Sequence, residues 1–171
     1  MREKISTVTL ILTVAIPSLV LVASLGWQAS SPKQAAPPPE SLSKPGYPTR
    51  IQEHTQEVRD QLETLARRFQ VSYETMASDQ WRRKTLEINR RFSATVRAAR
   101  VLEAPPPLRE ADRLYDEAMD DYLEYAKTME RALVDLHTRE VSHLFEEAGQ
   151  HVREANRRLE DAAQHVRQHH E

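Results

Sequence analysis

The stretch 105–136, PPPLREADRLYDEAMDDYLEYAKTMERALVDL, decides how this chain is read. Proline has no N–H to donate and holds φ near −65°, so Pro105-Pro106-Pro107 ends one helix and pre-sets the first turn of the next. Beyond the prolines, Leu108, Ala111, Tyr115, Ala118, Tyr122, Tyr125, Met129, Ala132 and Leu136 recur every three or four residues. That is the period of one face of an α-helix, with charged residues on the other.

Outward from this segment the same period returns. Toward the C-terminus, Val141, Phe145, Ala148, Val152, Ala155, Leu159, Ala162 and Val166 form a second stripe. Toward the N-terminus, Trp81, Ile88, Phe92, Ala99 and Leu102 form a third, and Ile51, Val58, Leu62, Leu65, Phe69 and Met76 a fourth. Thr49-Arg50-Ile51-Gln52, with Pro48 ahead of it, matches a capping box and is expected to open the first helix.

Phase separates these stripes into four helices. Continuing the stripe of Ile51 to Met76 past residue 77 would put Arg83, Arg90 and Arg97 in the apolar seam, and continuing that of Leu108 to Leu136 past 137 would put Arg139, Glu146, Arg153 and Arg157 there. Burying unpaired charges is costly. Breaks are therefore expected near Ser78 and Thr138, both acceptable N-caps. The expected helices are 50–77, 79–103, 106–136 and 139–168, within a domain spanning 49–171. Short turns between them predict an all-α, antiparallel up-down-up-down four-helix bundle. The alternative is a long two-helix coiled-coil hairpin folded at the prolines.

Two segments precede the bundle. Ile5 to Leu25 carries no charge and follows Arg2 and Lys4. As a helix it is about 31 Å long, enough to cross a hydrocarbon core. Residues 5–26 are read as a transmembrane anchor with residues 1–4 cytoplasmic and the rest outside. The alternative is a signal peptide cleaved after its small residues, releasing the domain. Residues 27–48 are read as a proline-rich linker, partly polyproline II in character.

Composition narrows the function classes. With no cysteine, the chain has no disulfide, thiolate metal site, covalent c-type haem or cysteine nucleophile. A formal net charge of −2 argues against nucleic acid as a partner. No glycine-rich phosphate loop or nucleophile elbow is present, and serines and histidines fall in no catalytic arrangement, so a non-catalytic protein is expected.

Residues 79–102 carry seven Lys or Arg against two acidic residues, whereas 107–136 carry four against nine. These helices are expected to pack side by side. Arg82, Arg83, Arg90, Arg91 and Arg97 form a charged face whose main expected role is this pairing, with anionic lipid or polymer as a second use. Tyr115, Tyr122 and Tyr125 read chiefly as core, alternatively as a groove for an apolar ligand or partner helix.

Five of seven histidines fall on the last helix. An antiparallel bundle would bring the end of that helix beside the start of the first. His54, His165 and His169 are thus candidate metal ligands, or two of them haem ligands; solvated surface histidines are the simpler account. Glu140-x-x-His143 has di-iron spacing, but both residues point away from the buried face, and that site is rejected.

Leu102-Glu103-Ala104-Pro105-Pro106-Pro107-Leu108, followed by alanine and tyrosine at bundle spacing, resembles a broad set of bacterial exported helical proteins of uncharacterised function. In these a proline pair opens a helical hairpin behind a signal or anchor. The likeness spans residues 80–166 and implies a helical bundle outside the cytoplasmic membrane, with no active site to transfer. The expected function is an interaction or scaffolding module of the bacterial envelope, held by the membrane and bound to a protein partner, with self-association open. The alternative is a small metal- or haem-binding bundle.

Overall fold

The computed structural model describes residues 46–100, 104–136 and 140–168. The expected anchor, most of the linker, Leu102, Thr138 and His169 lie outside them. Among the described residues every regular element is helical, and the protein is an all-α helical bundle. The elements are α1 (Tyr47–Arg68), a single turn α2 (Tyr73–Met76), α3 (Asp79–Ala99), a 3-10 turn (Pro106–Leu108), α4 (Arg109–Val134) and α5 (Val141–Gln168). None of these helices is long and apolar enough to cross a membrane.

The first helix starts earlier than the capping box suggests. Its N-cap is Gly46, with no side-chain cap, and Tyr47 and Pro48 already lie in the first turn. The start is held from outside the helix: the Tyr47 hydroxyl donates to Asp112 Oδ1 of α4 at 2.5 Å. Its ring packs on the cluster of Leu108, Ala111 and Val166. Proline is tolerated there because first-turn N–H groups have no intrahelical partner.

That helix also ends earlier, at Arg68 instead of residue 77. Neither proline nor glycine stops it. The Trp81 indole Nε1 of α3 donates to the Arg68 carbonyl at 3.0 Å, satisfying an acceptor the helix end leaves open. The Arg68 guanidinium answers by donating to the Trp81 carbonyl and to Thr85 Oγ1, both at 3.4 Å, and lies 5.6 Å from the indole centroid. Ser78 then caps α3 as expected, its Oγ accepting from the Trp81 N–H at 3.3 Å.

Contacts join each long helix to the next. Trp81 meets Arg68 between α1 and α3; Asn89 meets Ala126, and Arg100 meets Asp120, between α3 and α4. Tyr122 meets Asn156, and Arg158 meets Glu117, between α4 and α5. The α4–α5 pair is the most extensive. Both helices bury several alanines (Ala111, Ala118, Ala126 and Ala132 on α4; Ala148, Ala155 and Ala162 on α5), small side chains that permit close packing. The remaining pairings are filled by rings. Phe92 sits edge-on to both Tyr122 and Tyr125, at 5.9 and 5.7 Å between centroids. Phe69 stands edge-on to Trp81 and Phe145, joining the far ends of α1 and α5 to α3.

The buried seam of α3 differs from the stripe read in sequence. It runs Trp81, Thr85, Asn89, Phe92, Val96 and Ala99, with Ile88 only half-buried at its edge. Two polar residues can sit there because each finds a backbone acceptor. Thr85 Oγ1 bonds back to the Trp81 carbonyl at 2.8 Å, and Asn89 Nδ2 reaches across to the Ala126 carbonyl at 2.7 Å. The stripes expected on α4 and α5 are buried throughout, apart from half-buried Val141.

Phe92 is fully buried. Its replacement by alanine is therefore expected to lower the unfolding free energy by about 3–5 kcal/mol. The same truncation of Ile88 should cost less than half of that. Urea unfolding followed by far-UV circular dichroism reads both, and a larger loss at Ile88 would mean the seam is wrongly phased.

Candidate interaction surface

With one side of α3 turned into the core, its other side is set by helical geometry. At about 100° per residue, Arg83, Arg90 and Arg97 lie roughly 140–180° away from Phe92. The side chains of Arg90 and Arg91 are 70% and 66% exposed, and Arg83 and Arg97 are exposed as well. Arg83, Leu86, Glu87, Arg90, Arg91 and Ala94 line an open cleft of about 480 Å³ along this face. Leu86 and Ala94 form its apolar floor, flanked by three guanidinium groups and one carboxylate.

Pairing uses only part of the charge. Arg90 bonds Glu130 of α4 at 2.9 Å and Arg100 bonds Asp120 at 2.6 Å, so the expected attraction between the basic and acidic helices is present. The rest is local: Arg82 with Asp79 at 2.5 Å, and both Lys84 and Arg91 with Glu87. Lys84 first, then Arg91, hold the Glu87 carboxyl below its ordinary range. Arg83 and Arg97 have no ion-pair partner among the described residues.

The four-residue spacing of Glu63–Arg67, Glu87–Arg91 and Glu154–Arg158 favours helix-stabilising ion pairs. The first two form. Glu154 instead bonds Arg157 at 3.0 Å. Arg158 is largely covered and reaches across to Glu117 and Asp121 of α4. An arginine at the edge of a helix–helix seam finds the facing helix before its own.

The three tyrosines lie in the core. Tyr115 and Tyr122 are 1% and 0% exposed, and Tyr125 is 8% exposed. The Tyr122 hydroxyl donates to Asn156 Oδ1 at 2.7 Å. The Tyr115 hydroxyl lies beside that of Thr55, and both are buried without a hydrogen bond of ordinary geometry. Burial pushes the ionisation of all three phenols well above its usual range.

The histidines are less well assembled. His165 lines a shallow cleft of about 260 Å³ with Glu110, Leu114, Asp161, Gln164 and Gln168. Tyr47 packs at the level of Val166 and Phe69 at the level of Phe145. That register puts position 54 level with positions 159–160, more than a helical turn from His165. Among the described residues no three His, Asp or Glu are grouped to hold a metal ion. His143 is exposed, as expected from its phase.

Sequence reasoning passed over Leu86 and Ala94, because apolar residues out of phase with a seam carry no helical signal. It also passed over Asp116, which faces Asp112, Asp120 and Arg100. Burial, then Asp112, raise its carboxyl above the ordinary value. Comparison of the chain with protein-family profiles, characterised proteins and solved structures finds no match.

A raised carboxylic pKa means the folded state disfavours the charged form, so its contribution is favourable below the unfolded value and lost as pH rises. Asp116→Asn is therefore expected to raise stability at neutral pH by a few tenths of a kcal/mol, the group being only half-buried. The difference should vanish below the ordinary carboxyl value of 3.8. Paired urea titrations of both proteins at neutral and acid pH check it; a difference that persists in acid would refute the assignment.

Proposed function

We propose that this protein is a non-catalytic interaction or scaffolding module, an antiparallel up-down-up-down four-helix bundle tethered to the outer side of the bacterial cytoplasmic membrane. The observation that carries this reading is the outward face of α3, where a row of exposed arginines, two of them without an ion-pair partner among the described residues, runs along a cleft partly lined by Leu86 and Ala94. Surface pairs contribute under about 1 kcal/mol each. Seven basic residues are therefore more than the packing of α3 against α4 uses. Exposed charge with no structural task is available to a partner.

The antiparallel contacts between consecutive helices support the four-helix arrangement over a two-helix hairpin, since α1 folds back on α3 at Trp81. The apolar run from Ile5 to Leu25 and the prolines after it support the anchor and tether. The core supports a scaffolding role: its largest side chains, including Tyr115, Tyr122, Phe92 and Leu62, fill the interior and make a rigid body that presents one face.

Because the chain has no cysteine, a single Gln164→Cys variant gives one thiol at an exposed site on the bundle. In intact cells it is expected to react with a membrane-impermeant maleimide, with the full-length chain remaining in alkali-washed membranes. Labelling only after lysis would overturn the location, and release of a shortened chain would replace the anchor by a cleaved signal.

His165→Ala combined with His169→Ala separates this reading from a metal-binding protein. Thermal unfolding with and without zinc should be unchanged by the pair of substitutions. A zinc-dependent stabilisation lost in the variant would favour metal binding.

A further inference from the structure

We propose that the outward face of α3 docks on anionic phospholipid headgroups of the membrane that carries the chain, an inference that rests on the anchored reading above. Arg83, Arg90 and Arg97 repeat every seven residues and span about 21 Å on one side of a straight helix. Guanidinium groups bind phosphate oxygens through paired N–H donors, and a row of them matches a sheet of phosphates. Arg83 and Arg97 have no ion-pair partner among the described residues, and the exposed pairs of Arg90 with Glu130 and Arg91 with Glu87 are weak enough to exchange. Leu86 and Ala94 line the cleft together with Arg83, Arg90 and Arg91, an apolar patch that suits arginine stems whose charged ends extend outward.

Charge from the neighbouring helices does not cancel this face. Glu130, at its edge, is paired with Arg90, and Glu63 on α1 is paired with Arg67. Carboxylates on the far side of the bundle lie beyond the Debye length of about 8 Å. Geometry permits the approach. The residues between Leu25 and Gly46, extended at about 3.1 Å each, exceed the roughly 32 Å length of α3, so the bundle can lie along the surface. Arg97 and Arg100 sit toward the tethered end, because Arg100 bonds Asp120 in the first half of α4 and Tyr47 bonds Asp112.

An acidic protein partner fits less well. Protein interfaces are anchored by aromatic or large aliphatic side chains in pockets. This cleft offers only the half-buried Leu86 and an alanine, and the exposed large hydrophobics, Val71 and Val134, are not among its lining residues. A headgroup layer needs no such anchor.

The test uses the full chain in vesicles of phosphatidylcholine alone or mixed equally with phosphatidylglycerol. A fluorophore on Ala98→Cys, on the outward side of α3, reports approach to the bilayer through quenching by headgroup-labelled lipid; one on Glu146→Cys, exposed on α5, is the control. The Ala98 probe is expected to be quenched in the anionic vesicles and not in the neutral ones, and the Glu146 probe in neither. Quenching should fall away in about 1 M salt, where the Debye length is about 3 Å. Arg83→Gln with Arg97→Gln should weaken the approach about thirty-fold. Equal quenching in both vesicles, no quenching in either, or indifference to the two substitutions would overturn the docking. Flotation separates this from the anchored reading. A chain that floats with neutral vesicles but shows no quenching keeps its anchor and loses the docking site. A chain that floats only with anionic vesicles, reversibly in salt, keeps the docking site and loses the anchor.

Discussion

The edge-on stack of Phe92 on Tyr122 and Tyr125 is the joint on which this structure turns. On one side of it α1 and α3 form a hairpin locked by Arg68 and Trp81. On the other, α4 and α5 form a hairpin, the most extensive helix pairing among the described residues. Each pair alone would leave an apolar stripe in water, and neither seam is wide enough to cover itself. The ring of Phe92 fills the space between them, and the bond from Asn89 to the Ala126 carbonyl fixes their relative height. Because Asn89 Oδ1 finds no partner in return, this contact supplies register more than stability.

Charge is organised around that joint. The two ion pairs between α3 and α4 lie on either side of it, at Arg90–Glu130 and Arg100–Asp120. They orient the helices and draw on Arg90 alone of the outward row. Arg83 and Arg97, on the same side of α3, have no ion-pair partner among the described residues.

Much of this was legible in the sequence where each position had one task. On α4 and α5 the inward positions are almost all apolar, so period alone located them. On α3 it did not, because Thr85 and Asn89 are acceptable inside only by virtue of carbonyls at Trp81 and Ala126, and the second belongs to another helix. The end of α1 was hidden for a similar reason: the group that stops it, the indole of Trp81, lies thirteen residues downstream. The five arginines were visible as charge. Their apolar floor was not, since Leu86 and Ala94 gain meaning only once the inward face of α3 is known. The histidines were grouped by an expected chain direction; His165 lines a cleft that does not include His54, and His169 lies outside the described residues.

The buried phenols carry one more consequence. Tyr115, Tyr122 and Tyr125 all resist ionisation while they are packed, whereas in an open chain each would lose its proton near its ordinary value of 10.0. Their packing therefore favours the folded state fully below that value and progressively less as alkalinity rises above it. The side chains that join the two hairpins thus also set an alkaline limit to the fold: in strong base, core and proton loss become alternatives, and the bundle comes apart from the inside while its arginine surface is still charged.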